Sequence, residues 1–336
     1  MTAYILPFEK PLLDVQHKLD ELQKFSKQQD IDTSQEMALL EAKLADARRE
    51  LYANLSPWQK VMVARHPRRP YTRDYISEFV TGFSELHGDR LLADDQAIVG
   101  GLGWIDGRRV MVIGTQKGRD TKSNLACNFG CPFPEGYRKA LRLMRLAAKF
   151  NIPIVTFIDT SGAFPGIEGE QRHVAEAIAV NLREMFRLPV PIVSVVIGEG
   201  GSGGALGIGV ANRLLIMEYA YYSVISPEGC AAILWKDRAH ADEAAAALKL
   251  TAPDLLELQI ADEIIPEPLG GAHSSPKEAA MRVHEAIRRQ LDELSSFSAQ
   301  QLMEQRYAKY RSMGVFKEGP VPPLTPPPLP EDTDRK

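Results

Sequence analysis

Residues 192–211 read Ile192-Val193-Ser194-Val195-Val196-Ile197-Gly198-Glu199-Gly200-Gly201-Ser202-Gly203-Gly204-Ala205-Leu206-Gly207-Ile208-Gly209-Val210-Ala211. Residues 192–197 are a short β-branched run, which predicts a strand buried on both faces. The glycine cluster at 198–204 follows, and then a short helix. A strand that ends in glycines and turns into a helix is a building unit of an α/β sheet, and ligands in such folds sit beyond the C-terminal strand ends.

Outward from this stretch the pattern repeats. Residues 154–158 form a second buried strand, preceded by an amphipathic helix over 135–150 with Tyr137, Leu141, Met144 and Ala148 inward. A helix over 168–187 follows it. Upstream, residues 97–105 and 109–115 flank Asp106-Gly107, a strong hairpin signal, and the body begins near residue 96. Residues 116–134 read as a long loop carrying Lys117, Arg119 and Lys122. Downstream, strands are expected at 214–217, 221–225 and 261–265, with helices over 227–235, 240–249 and 252–259. Ser275-Pro276-Lys277-Glu278 has the form of a capping box opening a helix to about residue 294, and 298–312 is one more helix.

The N-terminal part is different. Val15, Leu19, Leu22 and Phe25, then Met37, Leu40, Leu44, Ala47 and Leu51, make a narrow apolar seam on two helices, an antiparallel hairpin that must pack on the body or on another chain. Ser56-Pro57-Trp58-Gln59 starts a short helix. It runs into Arg65-His66-Pro67-Arg68-Arg69-Pro70, read as a solvated basic loop with a phosphate or a partner's carboxylates as the other options. The expected division is 1–85 for the hairpin and basic loop, 86–294 for the α/β core, 295–318 for a C-terminal helix, and 319–336 for a disordered proline-rich tail.

Composition narrows the function. Forty Lys and Arg against 44 Asp and Glu leave a net charge of −4, which argues against a protein that coats nucleic acid. Three cysteines, Cys127, Cys131 and Cys230, neither staple a secreted scaffold nor complete a zinc set, so no metal is expected on this chain. No apolar stretch approaches the roughly 18 residues of a membrane span, and the first residues lack the form of a signal peptide. A cytoplasmic location is expected.

Three loops close predicted strands: residues 160–166, 198–204 and 226–230. Each places glycines before a helix, where unpaired N–H groups and the helix dipole favour an anion. Several readings fit. Gly198-x-Gly200-x-x-Gly203 with Glu218 on the next strand has the form of a dinucleotide site. Gly200-Gly201-Ser202-Gly203-Gly204 matches a hydrolase elbow, with Ser202 as nucleophile and Asp262 and His273 in a permissible order. A phosphate-binding P-loop fails, because Ala205-Leu206 stands where Lys and Ser or Thr belong. Tight helix packing without a ligand is a fourth option. The last is an oxyanion hole for an enolate or thioester, with one N–H from Gly203-Gly204 and another from the 162–164 loop.

At these residues the sequence closely resembles the alpha subunits of bacterial acetyl-CoA carboxylase carboxyltransferases. The strings that carry the likeness are Ala64-Arg65-His66-Pro67, Arg69-Pro70-Tyr71-Thr72, Gln116-Lys117-Gly118-Arg119, and Pro134-Glu135-Gly136-Tyr137-Arg138-Lys139-Ala140. To these add Ile158-Asp159-Thr160, residues 196–206 and 223–235, and Ile265-Pro266-Glu267-Pro268-Leu269-Gly270-Gly271-Ala272-His273. The likeness spans roughly residues 5–312. Ser161 and Phe164 stand where many relatives have Pro and Tyr.

The resemblance implies a crotonase-type (ClpP/crotonase) spiral of ββα units carrying the N-terminal hairpin. It also implies an α2β2 assembly whose beta subunit carries a structural zinc. Within that family the carboxyl group passes from carboxybiotin, tethered to the biotin carboxyl carrier protein and charged by biotin carboxylase in an ATP-dependent complex, to acetyl-CoA. The product, malonyl-CoA, feeds fatty-acid biosynthesis. By motif, Gly203 and Gly204 would present backbone N–H groups to the biotin ureido oxygen, with Ala163 or Phe164 as the loop donor. Gly162, Gly201, Ser202 and Gly229 would line the substrate. Such chemistry needs no side-chain base on this chain, only stabilised oxyanions and held reactants.

Overall fold

The computed structural model describes residues 4–29, 33–314 and 319. Helices α1 (Lys10–Gln29) and α2 (Ser34–Ala53) pack against each other as the seam predicts. Leu19 and Leu44 are buried in it, whereas Phe25 stays 49% exposed. The foot of the hairpin is fastened to the body: Leu6, Tyr52, Leu55, Val63 and Tyr219 form one apolar cluster. Within it the Tyr52 hydroxyl donates to Glu9 Oε1 at 2.8 Å.

Helix α3 (Pro57–Ala64) opens with the expected reciprocal cap, Ser56 Oγ accepting from Gln59 N–H and Gln59 Oε1 from Ser56 N–H. Helix α4 (Thr72–Phe79) and strand β1 (Thr81–Glu85) come next, so the sheet begins at Thr81 rather than near residue 96. β1 is mostly exposed, and without an apolar run nothing in its local sequence marks it.

β2 (Ile98–Ile105) and β3 (Arg108–Thr115) form the hairpin, turning at Asp106 (φ 48°) and Gly107 (φ 75°), the left-handed pair that a tight hairpin turn requires. The remaining strands are β4 (Ile154–Thr160), β5 (Ile192–Gly201), β6 (Arg213–Met217), β7 (Tyr221–Ser223) and β8 (Glu263–Ile265). They lie in the order β1-β2-β3-β4-β5-β6-β8, with β7 pairing the far end of β5. The first three are antiparallel neighbours. From β3 onward every pairing is parallel. All residues of β4 and β5 are buried, which is why they read as continuous runs rather than alternating ones.

The expected loop at 116–134 contains helix α5 (Thr121–Ala126), capped by Asp120 Oδ1 on the Ser123 N–H at 2.8 Å. Helix α6 (Pro134–Lys149) buries Tyr137, Leu141 and Met144 as expected, with Ala147 rather than Ala148 fully inside. The single helix expected over 168–187 is two, α7 (Ile167–Gln171) and α8 (Val174–Met185), broken at His173 in the left-handed region (φ 64°). α9 (Ser202–Leu206) is the short helix after the glycines. α10 (Pro227–Leu234), α11 (Ala241–Ala247), α12 (Ala252–Glu257), α13 (Pro276–Leu294) and α14 (Ala299–Ser312) complete the chain. The capping box expected at Ser275 does not form, since its side chain makes no cap bond at φ −141°, ψ 78°.

α14 is anchored by Arg306, a fully buried guanidinium that donates to the carbonyls of Met185, Leu188 and Val190 and to Asn212 Oδ1. The proline-rich stretch expected to be disordered lies outside the described residues apart from Gly319. Among the described residues no helix is long and apolar enough to cross a membrane.

The hairpin's junction with the body holds a stacked pair of imidazoles, His66 on His273, with ring centroids 3.6 Å apart. Burial lowers His66 to about 4. Burial, then the neighbouring His66 and arginines, lowers His273 to about 3. Both values lie below the ordinary 6.5, so the neutral rings contribute stability that is complete above pH 6.5 and lost as pH falls towards 4. Asp95, raised by burial to about 6, works in the opposite sense, as does His240, raised by its bond to Glu243 but lying at the surface where water screens the pair. The urea midpoint should therefore drop between pH 7 and pH 5, and His273→Gln should flatten that dependence. A wild-type midpoint that is level or higher at pH 5 contradicts it.

Candidate active site

The C-terminal ends of β4 and β5 carry the glycine loops, and their pairing is irregular there. Ile158 pairs with Val196 but Thr160 pairs with Gly200, so Asp159 on β4 faces three residues, Ile197, Gly198 and Glu199, on β5. This bulge turns the end of β5 and starts its last pairing, Glu199–Gly201 against β7. Its polar groups are met by side chains. Asp159 Oδ1 accepts the Glu199 N–H at 2.9 Å, and the Ile197 carbonyl accepts from Arg69 Nε at 2.6 Å. Gly198 is required because a Cβ there would lie 2.6 Å from Asp159 Oδ1.

Around the bulge sits a buried charge cluster. Lys117 Nζ lies 2.7 Å from Asp159 Oδ1 and 2.7 Å from Glu199 Oε1. The other oxygen of Glu199 accepts from Arg65 Nε and the Tyr221 hydroxyl, both at 2.7 Å, and Arg65 continues to Glu228 at 2.5 Å. Burial alone would push the Glu199 carboxyl up, but Lys117 and Arg65 outweigh it and hold it at about 2. Burial likewise opposes the Lys117 ammonium, and Asp159 and Glu199 keep it charged, above its ordinary range.

The basic loop is thus not solvated. Arg65 serves Glu199, and Arg69, 1% exposed, forms a two-pronged pair with Glu267 at 2.5 and 2.8 Å. Arg119 pairs with Asp74 and reaches the carbonyls of Pro67 and Arg69. Only Arg68 of the three loop arginines remains exposed.

Directly beyond the cluster, the structure brings two loops into backbone contact. A Cβ on Gly204 would overlap Gly162 and Ala163, and one on Gly201 would overlap Ser161. Gly203, by contrast, meets only Ile178 at 3.5 Å. Ser202 is exposed and sits at φ 53° at the start of α9, whose first-turn N–H groups have no partner within the helix. In the facing loop, the Gly162 N–H is bonded to Thr160 Oγ1 at 3.1 Å and the Phe164 N–H to the Pro132 carbonyl at 3.0 Å. The Ala163 N–H has no acceptor among the described residues. Gly229 lies in α10, its N–H capped by Ser226 Oγ at 3.1 Å.

The rival chemistries do not assemble. Gly198, Glu199 and Gly200 lie inside strand β5, with Glu199 held by cations, so this segment presents no phosphate cradle. Glu218 accepts from the Glu267 N–H instead of standing over a ligand. Asp262 accepts from Leu214 N–H and pairs with Lys309; Leu214 faces Ser194, eight residues before Ser202, which is about 25 Å along a strand. His273 is stacked on His66 beneath the hairpin. No triad forms with Ser202. In the sequence Lys117, Asp159, Glu199 and Arg65 stand in separate segments, with Lys117 and Arg65 each in a loop among other basic residues. A lone Asp ending an apolar run and a lone Glu inside a glycine cluster were the available signs that they belong together.

A family profile described as acetyl co-enzyme A carboxylase carboxyltransferase-like matches residues 5–314. The acetyl-coenzyme A carboxylase carboxyl transferase subunit alpha of Geobacter metallireducens is 56% identical over 94% of this chain and 99% of its own length. The protein of the same description from Thermus thermophilus is 54% identical over 93% and 99%. Among solved structures, transcarboxylase 12S superposes with a TM-score of 0.55 at 19% identity, covering 68% of this chain and 42% of that one. A Pseudomonas malonate decarboxylase hetero-dimer gives 0.53 at 16% identity, covering 65% and 89%. These neighbours establish the crotonase-type fold, and the close relatives establish the chemistry as carboxyl transfer by a subunit of a larger enzyme. The chain belongs to the acetyl-CoA carboxylase carboxyltransferase alpha-subunit family.

Proposed function

We propose that this chain supplies the carboxybiotin side of the transfer of a carboxyl group to acetyl-CoA, giving malonyl-CoA. The observation that carries the reading is the contact between the first turn of α9 and the 162–163 loop. Gly203 and Gly204 offer N–H groups with no helical partner, and the Ala163 nitrogen, unengaged among the described residues, lies against Gly204. Of the two expected loop donors, Ala163 is the one retained, because the Phe164 N–H is already spent on Pro132.

Biotin supplies a ureido nitrogen that takes up and releases the carboxyl group. This chain's task is to hold the ureido oxygen, and fixed N–H dipoles do so without reorganising during reaction. A Cβ on Gly203 would meet only the Ile178 side chain, at ordinary contact distance, while Gly201 and Gly204 permit the close approach of backbones. Gly162 and Ser202 border the same contact; Gly229, with its N–H capped, could contribute only shape.

The surface near these loops supports a shared site. Ile167 and Val224 are 76% exposed, and Ile233 and Leu234 are 59% and 66% exposed, on segments that follow β4 and β7. Large apolar side chains left this exposed fit a protein partner. We assign that partner as the zinc-bearing beta subunit in an α2β2 assembly, served in the cytoplasm by biotin carboxylase and the biotin carboxyl carrier protein.

Co-expressed with its beta subunit, the chain should support biocytin-dependent decarboxylation of malonyl-CoA, and each subunit alone should be inert. Gly204→Ala, whose methyl would wedge the two loops apart, should lower kcat by about 100-fold with little change in KM for the CoA ester. Ser202→Ala should retain activity within about tenfold, since no covalent step uses the hydroxyl. Labelling of Ser202 by a fluorophosphonate would instead restore the hydrolase reading.

A further inference from the structure

We infer that Lys117 is a positioning residue for the carboxyl-transfer site: its ammonium ties the ends of β4 and β5 and sets the two amide-bearing loops at a common height. The inference rests on the carboxyltransferase reading above and extends it to a residue that touches neither loop donor.

Three features support it. Lys117 follows β3 by two residues, and its side chain crosses the end of β4 to reach β5, over Gly130, where a Cβ would lie 2.6 Å from Lys117 Cγ. Its two carboxylate partners sit at matching places: Asp159 precedes Ala163 by four residues, and Glu199 precedes Gly203 by four. The β4–β5 ladder is interrupted at this level, so between Ile158 and Thr160 regular pairing does not fix one strand against the other. The tie falls where the sheet provides none.

A buried lysine with two carboxylates could also be only a neutralising charge. The two roles separate in the paired variant Lys117→Met/Asp159→Asn. It removes one positive and one negative charge, leaves Arg65 on Glu199, and keeps a side-chain amide oxygen at position 159 to accept the Glu199 N–H. A clamp is lost in this variant, whereas charge balance is kept.

The assay is biocytin-dependent malonyl-CoA decarboxylation by the complete alpha–beta complex, with thermal melting alongside. Lys117→Met alone should melt lower, because Asp159 then keeps a buried charge without its cation and Glu199 keeps only Arg65, which also serves Glu228. The double variant should melt near wild type, yet kcat should fall about 10- to 100-fold, as small misplacements of catalytic groups do, with KM for malonyl-CoA within about twofold. A double variant that folds and turns over like wild type overturns the clamp. Should it not fold, Lys117→Met/Glu199→Gln serves, again removing the tie together with one charge of each sign; about tenfold lower kcat at unchanged KM is expected, and normal kcat overturns the proposal. A wild-type complex without biocytin-dependent turnover overturns the carboxyltransferase reading itself, and this inference with it.

Discussion

One ammonium group, Lys117 Nζ, lies 2.7 Å from carboxylates at the ends of two neighbouring strands, in a place where their backbone ladder is broken. Burying a charge is costly unless it is paired and hydrogen-bonded. Here each partner has further bonds: Asp159 takes the Glu199 N–H, and Glu199 takes Arg65 and Tyr221. The cluster is closed on itself. That closure allows β5 to bulge and still run on for its pairing with β7, and the glycine loops start from there.

The same logic recurs at larger scale. Arg69 joins the segment before α4 to Glu267 after β8, and Arg306 ties α14 to carbonyls around the start of β5. Each is a long cation lying inside the protein and meeting acceptors that secondary structure leaves over. A sheet covered on both faces by helices has many such strand ends, and side chains with several donors can satisfy them at once. The basic residues therefore say little about an external phosphate and much about how irregular backbone is tolerated at the site.

The glycines divide by what surrounds them. Gly198 yields space to Asp159, Gly200 to the ring of Tyr222, and Gly201 and Gly204 to the backbone of the facing loop. Gly203 alone of these has ordinary clearance. A fingerprint such as G-x-G-x-x-G treats them as equivalent. Once placed, two serve sheet packing, two serve the approach of two loops, and one stands at ordinary contact distance from Ile178, which is why the formal dinucleotide match has no counterpart in the fold.

What the sequence determined by itself was whatever depends on near neighbours along the chain. The Asp106-Gly107 turn, the buried runs of β4 and β5, the Ser56–Gln59 cap and the seam of the α1–α2 hairpin follow from local periodicity and capping chemistry, and all are present. The long family strings likewise carried the fold and the carboxyltransferase assignment. Local signs failed where tertiary contacts overrode them: Ser275 does not cap, His173 breaks a regular helical pattern, and β1 pairs with β2 without an apolar run to announce it. Only the folded chain decided that Lys117, Asp159, Glu199 and Arg65, up to 134 residues apart, share one buried cluster. It likewise decided that Ala163 rather than Phe164 keeps an unengaged amide. The reason is physical: the partner of a buried charge or a loop N–H is set by which strand ends come together in space, and spacing along the chain does not encode that.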